Sequence, residues 1–305
     1  MPLILFAAPA LWPDYATLLP QALASAGIKA AVVTTAPDPS QVDYIIYAPS
    51  SPLQDFAPFT RCKAVLSLWA GVERVATNPT LTQPLCRMVD TSLTESMVAW
   101  VVGHTLRHHL GIDRHIVNPA HVWDPTCPPL PRERPVAMLG MGALGTACAR
   151  ALTALHFPVT GFSRTAKDID GIPTTTDLRA ALATAQIVVT LLPKTPETEN
   201  LLNATSLSWL PPGAVVLNPG RGALIDDAAL LAALDNGLGH ATLDVFRTEP
   251  LPQGHPFWTH PKITITPHVA ADTRPSGAIG VLVENIRRGQ AGAPFLHQVN
   301  RTLGY

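Results

Sequence analysis

Charge is scarce in this chain. Only 14% of its 305 residues are Asp, Glu, Lys or Arg, and the formal net charge is −1. No Lys/Arg run or basic stripe stands out, which argues against nucleic acid as a partner. Cysteine is scarce too. Cys62, Cys86, Cys127 and Cys148 show no CxxC spacing and suggest no disulfide framework; they read as reduced thiols of a cytoplasmic protein. No apolar run approaches the length of a membrane span, so no membrane partner is expected. The apolar start, Met1 to Pro9, lacks a basic n-region and a long h-region, and reads as a first strand. Hydrophobic residues, in contrast, are plentiful at 47%. Over this length they suffice for two domains of ordinary size, each with its own core.

The most informative stretch runs from Pro135 to Arg164. Pro135-Val-Ala-Met-Leu139 is short, apolar and partly β-branched, the mark of a buried strand. Gly140-Met-Gly142-Ala143-Leu144-Gly145 follows, and then 146–155, rich in small residues, reads as a helix. Val159 to Phe162 reads as a second strand, ending in Ser163-Arg164-Thr165. Strand, glycine turn, helix, strand is the arrangement a dinucleotide needs. Gly140 suits the tight turn, Gly142 lets the backbone approach a pyrophosphate, and Gly145 lets the helix lie close on the strand. The helix N-terminus would offer free N–H groups and partial positive charge to the phosphates. A lone GxGxxG can be an ordinary glycine-rich turn; its place between a strand and a helix gives it meaning.

The rest of the chain alternates in the same way. Strands are expected at 2–8, 29–33, 44–47 and 64–68, with a helix from Tyr15 to Ala26 closed by Gly27. Thr94 to His109 reads as a long helix capped by Thr94, with Met97, Val98, Val101, Val102 and Leu106 as its apolar stripe. The proline-rich run 125–135 reads as a linker or surface loop. Beyond Arg164, strands are expected at 187–192, 214–217, 240–245 and 263–266, and helices at 177–185, 226–234 and 275–288. The tail, 295–305, has no strand pattern of its own. An alternating pattern of this kind calls for α/β architecture with parallel sheets.

Three polar stretches each follow a predicted strand, where open α/β sheets bind their ligands. They are Asn218-Pro219-Gly220-Arg221-Gly222, Asp244-Val-Phe-Arg-Thr-Glu249-Pro250 and Thr266-Pro-His268-Val-Ala-Ala271. Their guanidinium, carboxylate and imidazole suit carbonyl reduction. Arg221 can fork onto a substrate carboxylate and polarise a neighbouring carbonyl. His268 can give a proton to the carbonyl oxygen as hydride reaches carbon. Glu249, placed behind the imidazole, would orient it and favour its charged form. The bland alternative is a surface Arg, a helix-start Glu and a core His that happen to follow strands.

Cofactor choice is readable at the end of the second strand. An NAD site usually has Asp or Glu there, on the ribose 2′-hydroxyl. Ser163-Arg164-Thr165 has no carboxylate. Its hydroxyls and guanidinium, with Lys167 nearby, suit a 2′-phosphate. NADPH is therefore expected to be preferred and NADH to be used more weakly; a lenient polar loop serving both is the alternative.

With these pieces in order, GMGALG, LLPKTPET, NPGRGALID, LDVFRTEPLP and TPHVAADTRP, the chain resembles the D-isomer-specific 2-hydroxyacid dehydrogenases. The likeness is closest to their glyoxylate/hydroxypyruvate reductase A branch. It spans most of the chain and is densest from Met138 to Ala271. The resemblance implies two Rossmann-like domains: a doubly wound parallel-sheet cofactor domain, 96–274, and a smaller flavodoxin-like substrate domain built from 1–95 and 275–305. It implies catalytic roles for Arg221, Glu249 and His268. It implies that the backbone N–H groups of Ala70 and Gly71, in LWAGV, hold the substrate carboxylate beside Trp69. It also implies that Leu192, Pro193, Thr198, Pro219, Gly220, Asp244 and His268 line the cofactor, and that the protein is a homodimer.

Two positions depart from the family pattern. Trp69 stands where a Gly is often found, which bears on pocket size. Pro219-Gly220 precede the Arg where small residues such as Ala are common. His104 and His108 are spaced i, i+4 on a helix, but no Glu completes an HExxH motif and Arg107 adds positive charge; a solvated or subunit-facing surface is expected there, and no metal. The function these readings support is NAD(P)H-dependent reduction of a small 2-keto acid to the D-2-hydroxy acid. The alternatives are a reductase of a larger 2-keto acid and a non-catalytic dinucleotide-binding sensor or corepressor.

Overall fold

The structure, a computed structural model, describes residues 1–301. The chain divides into two compact units, one formed by Met1–Leu93 with the chain from Asp272 onward, the other by Thr94–Ala271. The boundary falls inside the helix Thr91–Leu110.

In the first unit, β1 (Leu3–Phe6), β2 (Ala31–Val33), β3 (Tyr44–Tyr47), β4 (Ala64–Ser67) and β5 (Leu85–Cys86) form a sheet in the order β2-β1-β3-β4-β5. All pairings are parallel, and the order is that of flavodoxin. β3 and β4 are buried on both faces and so read as unbroken apolar runs. Alternate residues serve opposite cores. Ile4, Phe6, Tyr44, Ile46 and Leu66 pack with Leu19 and Leu23 of the helix Leu18–Ser25 and with Leu282 and Ile286 of the helix Pro275–Ala291. Leu5, Ile45, Tyr47 and Val65 pack with Phe56, Phe59 and Leu81.

The expected helix 15–26 is two pieces, Trp12–Tyr15 and Leu18–Ser25. Pro20 is the reason: it has no N–H for the carbonyl of Ala16, and its ring crowds that carbonyl, so a new helix must start just before it. Two further features went unforeseen. One is the two-residue strand β5. The other is the tail, which pairs with β5 through an antiparallel bridge, Cys86 to Gln298, with Val299 N–H on Leu85 O at 2.8 Å. The end of that tail lies outside the described residues.

In the second unit, β6 (Val136–Leu139), β7 (Val159–Phe162), β8 (Thr174–Thr175), β9 (Ile187–Thr190), β10 (Val215–Asn218), β11 (His240–Leu243) and β12 (Ile263–Ile265) form a parallel sheet. The order is β12-β11-β10-β9-β6-β7-β8. The chain winds one way from β6 to β8 and the other way from β9 to β12. The reversal lies between β6 and β9, and their carboxyl ends flank the crevice where doubly wound sheets bind nucleotides. Apolar cores cover both faces, one around Leu139, Val188, Val216 and Leu243 and one around Met138, Val189, Cys148 and Leu152. Both units are thus α/β with parallel sheets, as expected. Among the described residues no helix is long and apolar enough to cross a membrane.

Candidate active site

The glycine loop leaves β6 at the reversal point. Gly140 has φ +110°, and a Cβ there would come within 2.6 Å of the Leu191 backbone at the end of β9. Gly145 is tighter still: its Cβ would lie 1.8 Å from the Gly140 carbonyl oxygen. Gly142 is different. Nothing lies within 4 Å of its Cβ position, so its missing side chain leaves open space. The helix begins at Ala143, earlier than the expected 146, because Gly142 is already its N-cap. A glycine cap has no side chain to accept from the first turn, so the N–H groups at Ala143, Leu144 and Gly145 are left to a ligand or solvent. Two glycines close the loop and one opens it, which fits a pyrophosphate.

The end of β7 is arranged in a way the sequence does not disclose. Ser163 is buried, its hydroxyl donating to Thr165 O at 2.8 Å. Lys167 Nζ donates to Met141 O at 2.6 Å, inside the glycine loop. Its charge therefore braces the loop carbonyl, where a second phosphate contact was the expectation. Arg164 is exposed. It adds to the hydrogen bonds from Thr195 and from the Glu197 backbone that hold the Glu197 carboxyl below its ordinary range.

After β9, Thr198 closes the LLPKTPET turn. Its hydroxyl donates to Pro193 O at 2.7 Å and accepts from Thr195 N at 2.8 Å, beside Leu192. After β10, the buried Asn218 organises the arginine loop: Oδ1 accepts from Thr190 Oγ1 at 2.6 Å and from Gly220 N at 3.1 Å, and Nδ2 donates to Arg221 O at 3.0 Å. A Cβ on Gly220 would come within 2.6 Å of Thr190 O, and one on Gly222 within 2.0 Å of the Phe246 backbone. The turn through Pro219 is thereby forced, and Arg221 is fixed at its tip with Nη1 on Gly220 O at 2.7 Å.

His268 and Glu249 meet. His268 Nδ1 lies 2.7 Å from Glu249 Oε2, with the imidazole 52% and the carboxylate 34% exposed, so the pair is accessible yet partly desolvated. Glu249 is itself held, Oε1 accepting from Phe246 N at 2.8 Å. His268 has φ +54°, an unusual conformation for a non-glycine residue. Asp244 accounts for it. The residue is fully buried; its carboxylate accepts from Val269 N and Ala270 N, both at 2.9 Å, and from the Thr266 hydroxyl, while its carbonyl accepts from His268 N at 2.8 Å. Trp100 Nε1 donates in turn to Thr266 Oγ1 at 3.3 Å. Expected along the cofactor, Asp244 has a side chain engaged in holding the His268 loop. Trp100 and the Phe246 amide escaped the sequence reading, and Thr266 stood out only as the start of its stretch; the available signal was an Asp ending an apolar strand, since a buried carboxylate must find donors.

In the other unit, β4 ends in Ser67, whose hydroxyl donates to Trp69 O at 3.0 Å and accepts from Trp69 N at 3.1 Å. This bracket turns the chain through Ala70 and Gly71, whose N–H groups have no acceptor among the described residues. Trp69 is 42% exposed, so it is not a core residue of its unit.

His104 and His108 do not make a solvated face. His104 stacks on Trp100 with ring centroids 4.4 Å apart, and His108 sits 4.9 Å from His240 with Nε2 2.8 Å from Thr242 Oγ1. Burial, then the neighbouring His240, pushes His108 down to about 3; burial, then Arg107, pushes His240 to about 4. Among the described residues no group of three or more His, Cys, Asp and Glu is arranged to hold a metal.

Residues 102–270, over half of the chain, match the family described as D-isomer specific 2-hydroxyacid dehydrogenase, NAD binding domain. The chain belongs to the D-isomer-specific 2-hydroxyacid dehydrogenases. This dehydrogenase is 39% identical over 281 residues to glyoxylate/hydroxypyruvate reductase A of Serratia proteamaculans, an alignment covering 88% of this chain and 89% of that one. Its fold superposes on a D-isomer specific 2-hydroxyacid dehydrogenase from Xanthobacter autotrophicus, solved with NADPH and MES, with a TM-score of 0.90 and 36% identity over 100% of this chain and 99% of the other. The NADPH-dependent glyoxylate/hydroxypyruvate reductase of Sinorhizobium meliloti, solved with NADP and sulfate, gives 0.85 and 34% at the same coverage.

Proposed function

We propose that this dehydrogenase reduces a small 2-keto acid, glyoxylate or hydroxypyruvate, to the D-2-hydroxy acid with NADPH. The observation that carries the reading is the His268–Glu249 pair, 2.7 Å apart on the same sheet rim as an open glycine loop. The nicotinamide cofactor, when bound, supplies the hydride. It would lie along the rim from Gly142 past Leu192 and Pro193 to Pro219 and Gly220. His268 delivers the proton to the carbonyl oxygen, and Glu249 keeps the ring turned so that Nε2 faces the substrate. Arg221 forks onto the substrate carboxylate and polarises the carbonyl beside it. Ala70 and Gly71, beside Trp69, offer two N–H groups with no acceptor among the described residues, a pair suited to a carboxylate. Arg164 takes the 2′-phosphate, which no carboxylate at the end of β7 repels; NADH is the weaker cofactor.

The same reading makes the protein a cytoplasmic homodimer. Four free cysteines, three of them buried, suit a reducing compartment. Ile116, Val117, Val122 and Trp123 leave apolar surface uncovered on one chain, Trp123 being 92% exposed, and a second copy would cover it. The decisive experiment follows NADPH absorbance with glyoxylate and with hydroxypyruvate. Saturable oxidation with either is the expected result; none with any 2-keto acid would leave the sensor reading standing.

A further inference from the structure

Three loops of the second unit meet at Arg247, which follows β11 two residues before Glu249. Its Nη2 donates to Asn200 Oδ1, to Ile225 O and, at 3.4 Å, to Ala223 O. Nη1 pairs with Glu199 at 3.5 Å, and Nε with Asp227 at 3.6 Å. Burial pushes the Asp227 carboxyl up, and the charge of Arg247, then that of His255, opposes the push. The loop after β9 and the loop of Arg221 need no such clamp. Leu202 N donates to Leu224 O and Asp226 N to Leu202 O, both at 2.9 Å, and Asn200 N donates to Ala223 O at 2.9 Å. The turn 245–249 is held differently. Past the Asp244 amide, which donates to Asn218 O at 3.0 Å, no backbone group of 245–249 bonds to the Arg221 loop among the described residues. Gly222 only packs on the Phe246 backbone, a contact that sets distance without fixing slide. The Arg247 guanidinium supplies the missing directional bonds, with donors splayed in a rigid fork. None of its hydrogen bonds or ion pairs goes to Glu249 or His268. Its effect therefore passes through the backbone of Phe246, whose N–H holds Glu249 Oε1 at 2.8 Å.

We propose that Arg247 is a positioning residue for the reduction: it locks the turn that carries Glu249 against the loop that carries Arg221, and so sets the acid pair against the substrate's anchor. This rests on the reductase reading, in which Arg221 holds the carboxylate and His268, oriented by Glu249, gives the proton. Anchor and proton donor then stand on separate loops, and a small 2-keto acid has no slack to absorb a change between them. A shift of about 1 Å in such a geometry costs up to roughly 10²-fold in rate. Charge alone does not do this work, since the bonds that cross from turn to loop end on neutral carbonyls.

The test follows NADPH-linked turnover of glyoxylate in the unmutated protein, Arg247→Met, Arg247→Lys and Glu199→Gln, and in Glu249→Ala with and without Arg247→Met. Arg247→Met keeps the packing of the stem and removes the fork. It should lower kcat and kcat/KM together by roughly tenfold to 10²-fold, with the KM for NADPH within about twofold. Arg247→Lys keeps the charge without the fork and should fall between. Glu199→Gln removes one exposed ion pair and should stay within about twofold of the unmutated protein. The deciding measurement is the double-mutant cycle. With Glu249→Ala there is no carboxylate left to place, so adding Arg247→Met should cost less than about twofold more, whereas a general loosening of the fold would cost the same factor in both backgrounds. The same factor in both overturns the proposal, as does a kcat for Arg247→Met near that of the unmutated protein, or a loss carried by the KM for NADPH. If Arg247→Met does not fold, the cycle is run with Arg247→Lys and read in the same way. If the unmutated protein turns over no keto acid, the reductase reading fails on its own. Arg247 is then judged by hydrogen exchange at the Phe246 amide: faster exchange in Arg247→Met supports the lock, and an unchanged rate refutes it.

Discussion

In the unit Thr94–Ala271 the polar groups at the carboxyl rim are tied to one another. Asn218 holds the Arg221 loop, Asp244 holds the His268 loop, Glu249 holds His268, and Lys167 holds the glycine loop. At the rim of the first unit, Ala70 and Gly71 present N–H groups with no acceptor among the described residues. Both sheets are parallel and both rims lie at strand ends, so the contrast is not one of fold. Under the proposed reading the second rim delivers a proton along one line, a task that gains from groups fixed in advance, since no reorganisation is then needed during reaction. Under the proposed reading the first rim captures a mobile anion, a task that gains from donors left waiting.

The contrast breaks most visibly at His268. His268→Ala should lower kcat by roughly 10²-fold or more, the usual size for a general acid, with KM for glyoxylate little altered. A kcat near that of the unmutated protein would remove the role. Next in size is Asp244→Ala, which leaves two amides and a hydroxyl without their buried acceptor. It should cost about 3 kcal/mol of stability and reduce kcat more than KM, because it releases the loop and not the substrate. Chemical denaturation read beside steady-state kinetics would show it; an unchanged midpoint would mean the loop stands without its anchor. Arg164→Ala should raise the KM for NADPH about tenfold and leave that for NADH nearly unchanged. Equal efficiency with both cofactors in the unmutated protein would undo the cofactor assignment.

The smallest effect concerns the buried histidines behind the tied rim. His108 and His240 are held at about 3 and about 4, below the unfolded value near 6.5. Between those values the unfolded chain binds protons that the folded one refuses. Stability is therefore complete above about pH 6.5 and falls as pH drops toward 4. The loss should be about 1 kcal/mol, discounted for partial exposure. Replacing both with Gln should flatten melting temperature against pH across that window, and a slope that persists would assign the effect to other groups.

The sheets and the glycine loop were legible because their signals are local: apolar β-branched runs, and glycines between a strand and a helix. Arg221, Glu249 and His268 stand out in the sequence because each closes a motif at a strand end, and the expected approach of Glu249 to His268 is found at 2.7 Å. What stayed hidden depends on distant partners. Whether Lys167 faces a ligand or Met141 O is decided by the fold of the loop, and the spacing of the two residues is silent on it. His104 and His108 share a face at any i, i+4 spacing, and only the sheet beneath them makes that face buried. β5 has two residues, too few to show a period, and Pro20 reset a helix whose apolar pattern ran on across it.

The discontinuity of the first unit also orders events during synthesis. Unit Thr94–Ala271 is one continuous stretch and can close as soon as it has left the ribosome. The earlier-made strands β1, β3 and β4 cannot. Ile4, Phe6, Ile46 and Leu66 wait for Leu282 and Ile286 from a helix that begins just over two hundred residues after β4. Until then only the helix Leu18–Ser25 covers that face, and the rest is apolar surface on a nascent chain, the kind that chaperones hold and neighbouring chains stick to. The middle of this polypeptide is ready first, and its beginning is among the last parts to become safe.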